Sequence, residues 1–325
     1  MVGNNSPVVT LDSGAVGRRV SVRRTVDGGL TDVVGHLLDL SDEGWTVLRA
    51  SGEVARLDPS TVTAAKVVPP APVRTGWAVP TLSAADMQRV CWAGWPARET
   101  SMLGNWALRA HGGITGRANS AMAVGDPGCP VPEALDRVHQ WYAERSLPPL
   151  LQLPLTDPAN RPIADLGWSR LHVTIVQVAP IDRVLAGLAD PADLRSVVEP
   201  VPSADWLSLM HDLDEADPQA HVAILTGPPV VGFATLLRGD EPVGIGRVSV
   251  EEGWAGITSV DVAPAARRSG IGSAVMGSLL SWASDRGALS TYLQVRAAND
   301  AALRLYARLG YVTHHPYGYR APANG

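Results

Sequence analysis

The period of hydrophobic and polar positions changes several times along the chain, and each change marks an element. Between residues 17 and 68 the runs are short and strand-like, among them GRRVSVRR, DVVGHLLDL, WTVLRAS and EVARLD, separated by DGG, SDEG and SG. Turn residues at such close intervals predict a small antiparallel barrel of about fifty residues. The pattern stops at VVPPAPVRTG, residues 67–76, a proline-rich linker. Near the other end, VVGFATLLRGD and PVGIGRVSVEEG read as hairpin strands, broken at Gly239-Asp240 and at Glu251-Glu252-Gly253. WAGITSVDVAP follows as a further strand and ends at Pro264, which has no N–H to continue a ladder. The period then becomes helical, with Ile271, Val275, Leu279 and Trp282 on one face and Gly287 as the stop. STYLQVR has the character of a buried strand. Asn299 and Asp300 offer an N-cap to the helix DAALRLYARL, Gly310 closes it, and YVTHHPYGYR forms a final strand or hairpin. The predicted order is β-β-β-α-β-α-β.

Part of this unit occurs twice. Residues 139–168 align with residues 280–311 through Trp141 and Trp282, Arg145 and Arg286, Leu151-Gln152 and Leu293-Gln294, and Leu166-Gly167-Trp168 and Leu309-Gly310-Tyr311. The copies differ in chemistry: where the second has VAPAARRSGIG, the first has VGDPGCPVPE.

Composition narrows the class. A chain of 325 residues, 46% hydrophobic and 18% charged, is globular and long enough for two or three domains. Its net charge of −5 argues against bulk nucleic-acid binding. Cys91 and Cys129 form no CxxC and no His-rich pattern, so neither a disulfide framework nor a metal site is expected; they read as buried apolar thiols. The start, MVGNNSPVVTLDSG, lacks the basic and apolar regions of a signal peptide, and no apolar run approaches the roughly 18 residues of a membrane span. A cytoplasmic protein with no membrane partner is the expectation.

The junction ARRSGIG carries the most specific chemistry. Glycines at 270 and 272 let a backbone approach closely, Arg267 and Arg268 favour an anion, and the helix that follows presents free N–H groups and the positive end of its dipole. No G-K-[ST] follows, so this is not a Walker A loop, and the hairpin-rich sheet before it does not suit a dinucleotide fold.

VDVAPAARRSGIGSA, then YLQV, then NDAALRLYARLGY, together resemble the GCN5-related N-acetyltransferases (GNAT) over about residues 190–320. With the internal repeat, the chain is similar to tandem acetyltransferases; with the N-terminal barrel added, it resembles actinobacterial proteins of SH3-like plus tandem-GNAT architecture. The resemblance implies an α/β (α+β) fold with a mixed, mostly antiparallel sheet and flanking helices. It divides the chain into an SH3-like barrel with its tail at 1–72, a degenerate GNAT-like domain at 73–185 and a catalytic GNAT domain at 186–325.

The resemblance also assigns roles. Arg267, Arg268, Ser269, Gly270, Ile271, Gly272 and Ser273 would bind the pyrophosphate of acetyl-CoA. Val260, Asp261 and Val262 would lie on a splayed strand that hydrogen-bonds the pantetheine arm, and Asn299 would touch the pantetheine or the thiol end. Tyr306 would protonate the departing thiolate. Ile163 takes the place of Tyr306 in the first copy, which is therefore expected to be inactive. The reaction implied is direct acetyl transfer to an amine acceptor, a protein lysine or N-terminus or a small-molecule amine, with no metal. The alternative is an acetyl-CoA-binding sensor or interaction protein. Asp261, Glu251, Glu252 and His221 are open candidates for a base. Asp212, Asp214, Glu215 and Asp217 form an acidic cluster that would attract a cationic amine. RAHGGITGRANSAM, with Arg117 and Asn119, offers tight turns or a ligand contact. A homodimer is left open.

Overall fold

A computed structural model describes residues 8–9, 11–69, 79–188, 193–211, 213 and 217–323. The proline-rich linker beyond residue 69 and three members of the acidic cluster, Asp212, Asp214 and Glu215, lie outside them.

The N-terminal part is a six-stranded sheet of β1 (Val8–Val9), β2 (Arg19–Val26), β3 (Gly29–Leu40), β4 (Trp45–Arg49), β5 (Val54–Leu57) and β6 (Val62–Val67), in the order β1-β6-β2-β3-β4-β5. The hairpin pattern is as expected, but among the described residues β1 and β5 stand at opposite edges and no ladder joins them, so a closed barrel is not formed. β5 has only four residues and β1 only two, too few to extend a ladder around the core. Strand periodicity gives the sheet two apolar faces. Leu37 and Val47 enter its own core with Val20, Val22, Val33 and Trp45, while their chain neighbours Leu38 and Leu48 join the core of the rest of the molecule. Its 49–53 turn reaches α8 (Asp300–Arg308): at Gly52 (φ +80°) a Cβ would stand 2.3 Å from the Leu303 carbonyl oxygen. Asp39 of β3 also accepts a bond from Arg170 of the larger unit.

The rest folds around one eleven-stranded sheet. The first repeat contributes α1 (Ala84–Ala93), β7 (Glu99–Leu103), β8 (Trp106–Ala110), β9 (Ala121–Met122), α2 (Val131–Ala143), β10 (Leu151–Pro154), α3 (Asn160–Asp165) and β11 (Trp168–Pro180). After α4 (Ile181–Ala186), the second contributes β12 (Arg195–Glu199), α5 (Ala204–Leu209), α6 (Pro218–Leu225), β13 (Val231–Arg238), β14 (Glu241–Glu251), β15 (Trp254–Val262), α7 (Ile271–Ser284), β16 (Ser290–Arg296), α8 and β17 (Val312–Pro322).

The strand order is β12-β13-β14-β15-β16-β11-β17-β10-β9-β8-β7. The last strand of each repeat is thus exchanged: β11 runs antiparallel to β16, β17 runs antiparallel to β10, and the exchanged strands pair with each other. The shared residues of the repeat have a physical role. Arg145 lies 3.7 Å over Trp141 and Arg286 lies 3.7 Å over Trp282, and each guanidinium also donates to the carbonyl of its own tryptophan. Each pair closes the C-terminal turn of an equivalent helix, α2 or α7, where a cation also suits the dipole.

Candidate active site

The site begins where two strands part. β15 and β16 are parallel partners from Trp254↔Ser290 to Ile257↔Leu293 and separate after that. On its other side β15 carries a bulge against β14: Ile245 faces Asp261 and Arg247 faces Thr258, so Ser259 and Val260 together oppose Gly246, with Ser259 at φ +50°. The extra residue bends β15. β16 stays straight because β11 pairs with it along its length, from Pro180↔Ser290 to Thr174↔Arg296. Both walls of the cleft therefore belong to the second repeat, and the first repeat supports one of them by pairing β11 with β16.

Arg247 pins the branch point. Its side chain is fully buried and donates from Nε to the Leu225 carbonyl (2.6 Å), from Nη1 to Thr258 Oγ1 (3.1 Å) and from Nη2 to the Gly94 carbonyl (3.1 Å). Burial without a carboxylate partner pulls its pKa down to about 9.

The cleft has a volume of about 790 Å³ and is lined by Ser259, Val260 and Asp261 of β15, Arg296 of β16, and Asn299 and Tyr306 at α8, among others. Tyr306 is buried, edge-on to Tyr311 with ring centroids 5.8 Å apart. Burial first, and then the Asp261 carboxylate, push its hydroxyl up to about 12. Asn299 is exposed and caps α8, its Oδ1 accepting from the Ala302 N–H at 3.0 Å.

The glycine and arginine loop lies beside Val262. Arg267 and Arg268 are exposed, and Arg267 Nε donates to the Val262 carbonyl at 3.3 Å. Arg268 (φ +64°) and Gly270 (φ +86°) both take left-handed backbone, which only glycine adopts without strain. No side chain caps the start of α7, so its first N–H groups have no capping acceptor from a side chain. A Cβ at Gly272 would stand 3.4 Å from Leu305 and 3.9 Å from Val262, ordinary contacts. The fold itself therefore has room for a side chain there, and the glycine leaves that space open. The side chain of Ile271 is buried in the core, so only its backbone faces the loop, and the Ser269 hydroxyl donates back to the Ala266 carbonyl at 2.6 Å. A bent strand edge, a cleft and an uncapped helix start together fit an extended ligand with an anionic end.

Of the four base candidates, Asp261 alone lines the cleft. His221 is buried on α6, and Glu251 and Glu252 sit at the opposite end of β15. Asp217 caps α6 through the Ala220 N–H (2.9 Å). The sequence reading missed His211: its Nδ1 is 3.0 Å from Asp261 Oδ1, and its Nε2 is 3.3 Å from Arg267 Nη2. No local pattern announces it, because these partners lie 50 and 56 residues away.

The first repeat lacks this chemistry. Its helix α2 starts after Pro130, and Ile163 is fully buried in an apolar cluster with Trp106, Tyr142 and Leu151. Asn119 staples its own loop, accepting from His111 and Gly113 N–H and donating to the Ile114 and Thr115 carbonyls, while Arg117 lies 4.2 Å over Trp95. Among the described residues no cluster of His, Cys, Asp and Glu is placed to hold a metal ion, and no helix is long and apolar enough to cross a membrane.

A splayed strand pair, the helix after it and a tyrosine of the last helix facing the cleft are the features of a GNAT-type fold. Residues 85–320 match the family described as probable histone acetyltransferase Rv0428c C-terminal, and the chain belongs to that family. It is 29% identical over 321 residues to the probable histone acetyltransferase Rv0428c of Mycobacterium tuberculosis, covering 94% of each chain. It is also 27% identical over 239 residues to the uncharacterized N-acetyltransferase YobR of Bacillus subtilis, covering 71% of this chain and 96% of the relative. Among solved structures, a GCN5-related N-acetyltransferase from Kribbella flavida superposes with a TM-score of 0.58 at 20% identity, covering 74% of this chain and 96% of the other. A tandem GNAT protein from the clavulanic acid biosynthesis pathway superposes with a TM-score of 0.52 at 14% identity, covering 76% and 89%.

Proposed function

We propose that the protein is an acetyl-CoA-dependent N-acetyltransferase that transfers the acetyl group directly to an amine, a protein lysine or N-terminus or a small-molecule amine. The observation that carries this reading is the cleft between β15 and β16, with Tyr306 on one side and the uncapped start of α7 at its end. Acetyl-CoA supplies the activated acetyl group. The residues from Arg267 to Ser273 hold its pyrophosphate through backbone N–H groups and arginine charge. Val260 to Val262 offer the strand edge left free by the splay, and Asn299 stands at the same cleft. Tyr306, protonated at neutral pH, gives its proton to the leaving sulfur. The names of both curated relatives support N-acetyl transfer, and that of the M. tuberculosis relative favours a protein lysine as acceptor.

The second repeat is the catalytic unit in this reading, and the first is a support whose β11 pairs with the wall strand β16. The N-terminal sheet is an SH3-like accessory module docked on α8. The match to the actinobacterial relative over 94% of both chains suits that architecture.

Calorimetry with acetyl-CoA tests the reading. One site per chain is expected in the wild type, with binding lost in Gly272→Glu, where the fold has room for the side chain but the new charge repels phosphate. Two sites would give the first repeat a ligand of its own, and no binding by a folded wild type would overturn the reading.

A further inference from the structure

We propose that His211, oriented by Asp261, is the general base of the transfer, and that Arg267 masks it until an anionic cosubstrate draws the guanidinium away; this rests on the acetyltransferase reading above. His211 follows α5, in the segment that joins α5 to α6. The Asp261 carboxylate holds it twice, through Nδ1 at 3.0 Å and through the backbone N–H at 3.4 Å. On the other side of the ring, Nε2 is 3.3 Å from Arg267 Nη2.

These contacts define the proton inventory. A guanidinium only donates, so Nε2 must present its lone pair to Arg267, and the single ring proton then sits on Nδ1 and points at Asp261. A ring held in this way by a carboxylate, with a lone pair on Nε2, is oriented to accept a proton. Among the described residues, the charged groups that face it are Asp261 of β15 and Arg267 of the loop before α7. Arg267 itself has only this bond and one to the Val262 carbonyl, both 3.3 Å, and no ion pair with a described carboxylate. Neutral acceptors at that distance are poor competitors for an arginine when a phosphate offers charge-assisted bonds. The ligand that needs the base would thus uncover it. Asp261, the carboxylate behind the base, lines the same cleft as Tyr306.

In the step, the acceptor nitrogen bonds to the thioester carbonyl carbon as the carbon–sulfur bond breaks. The proton on nitrogen passes to His211 Nε2, and the Tyr306 proton passes to sulfur. Solvent then returns a proton from the imidazolium to the phenolate, and no further reagent is needed.

The full chain with ¹⁵N-labelled histidine tests the unmasking, with His211→Gln assigning the signal. Added CoA should shift the His211 Nε2 resonance toward that of a free ring nitrogen, and Arg267→Ala should show the same shift without ligand. If CoA binds by calorimetry and the His211 signal stays where it was, the proposal is overturned. Turnover tests the base, with a lysine-rich peptide as acceptor and acetyl-CoA hydrolysis as a probe in which water replaces the amine. His211→Ala should lower kcat by about 10²–10⁴-fold at unchanged acetyl-CoA affinity, and added imidazole should restore part of it. A His211→Ala enzyme within about threefold of wild type, beside an inactive Tyr306→Phe, would refute the base. Failure of the wild type to bind CoA would instead strike at the acetyltransferase reading, so the two failures are distinguishable.

Discussion

Replacing Tyr306 by Phe removes one oxygen from the cleft and almost nothing else. The ring keeps its buried place against Tyr311, and the hydroxyl makes no hydrogen bond among the described residues, so no protein group loses a partner. Stability should therefore stay within about 1 kcal/mol of wild type. Turnover should not. A positioned general acid contributes about 10²–10⁴-fold, which is about 3–5 kcal/mol of barrier at 1.36 kcal/mol per decade. The pH dependence sharpens the test. Burial and the Asp261 field hold the phenol proton up to about 12, so the acid is fully loaded across the range in which the enzyme can be assayed. No fall in kcat on the alkaline side below about pH 10 should come from this residue. Thiol release from acetyl-CoA under saturating peptide reads kcat, and thermal melting reads stability. A Phe variant that keeps kcat within threefold refutes the assignment. So does an alkaline limb below pH 10 that is present in wild type and absent in the variant.

Three further predictions follow from packing. Gly52→Ala should lower stability by at least about 1 kcal/mol, because its left-handed backbone and the Leu303 carbonyl 2.3 Å from the new Cβ both resist a side chain; thermal melting checks this, and kcat should fall too, since α8 carries Tyr306. Arg247→Met should cost about 3 kcal/mol or more in denaturant melts by stranding the Leu225 and Gly94 carbonyls and the Thr258 hydroxyl. Acid should destabilise the fold through His315, which ends a one-way chain: Arg109 donates to Gln152, Gln152 to Gln88, and Gln88 to His315 Nε2, leaving Nδ1–H to donate to His314. Burial pulls His315 down to about 3, so its neutral form is favoured only in the folded state; its contribution is complete above pH 6.5 and is lost as pH falls from there toward 3, about 3 kcal/mol by pH 4.5, and His36, pulled to about 4, adds in the same direction. Denaturant midpoints between pH 7 and 4.5 should show this slope, reduced in His315→Gln.

Much of the site was legible along the chain because its signals are local. Hairpin turns, the helical face of α7, the cap at Asn299 and the loop from Arg267 to Ser273 each depend on residues within a few positions of one another. Tyr306 was legible as a member of that set. His211 and Arg247 were not, since each acts through partners brought in from separate elements. β12 also escaped notice: RSVVE is too short to alternate clearly, and pairing with β13 makes it a strand.

The sequence by itself determined that one folding unit is used twice and that only the second copy carries the glycine and arginine loop and the tyrosine, because side-chain chemistry and short-range periodicity are written residue by residue. Only the tertiary structure decided how the copies share a sheet. A final strand selects its partner by register and by the shape of the edge it meets. The exchange of β11 and β17 places a strand of the first copy along β16, so that β16 stays straight while the bulged β15 bends away. The cleft exists because of that difference in pairing, which no single stretch of the chain contains.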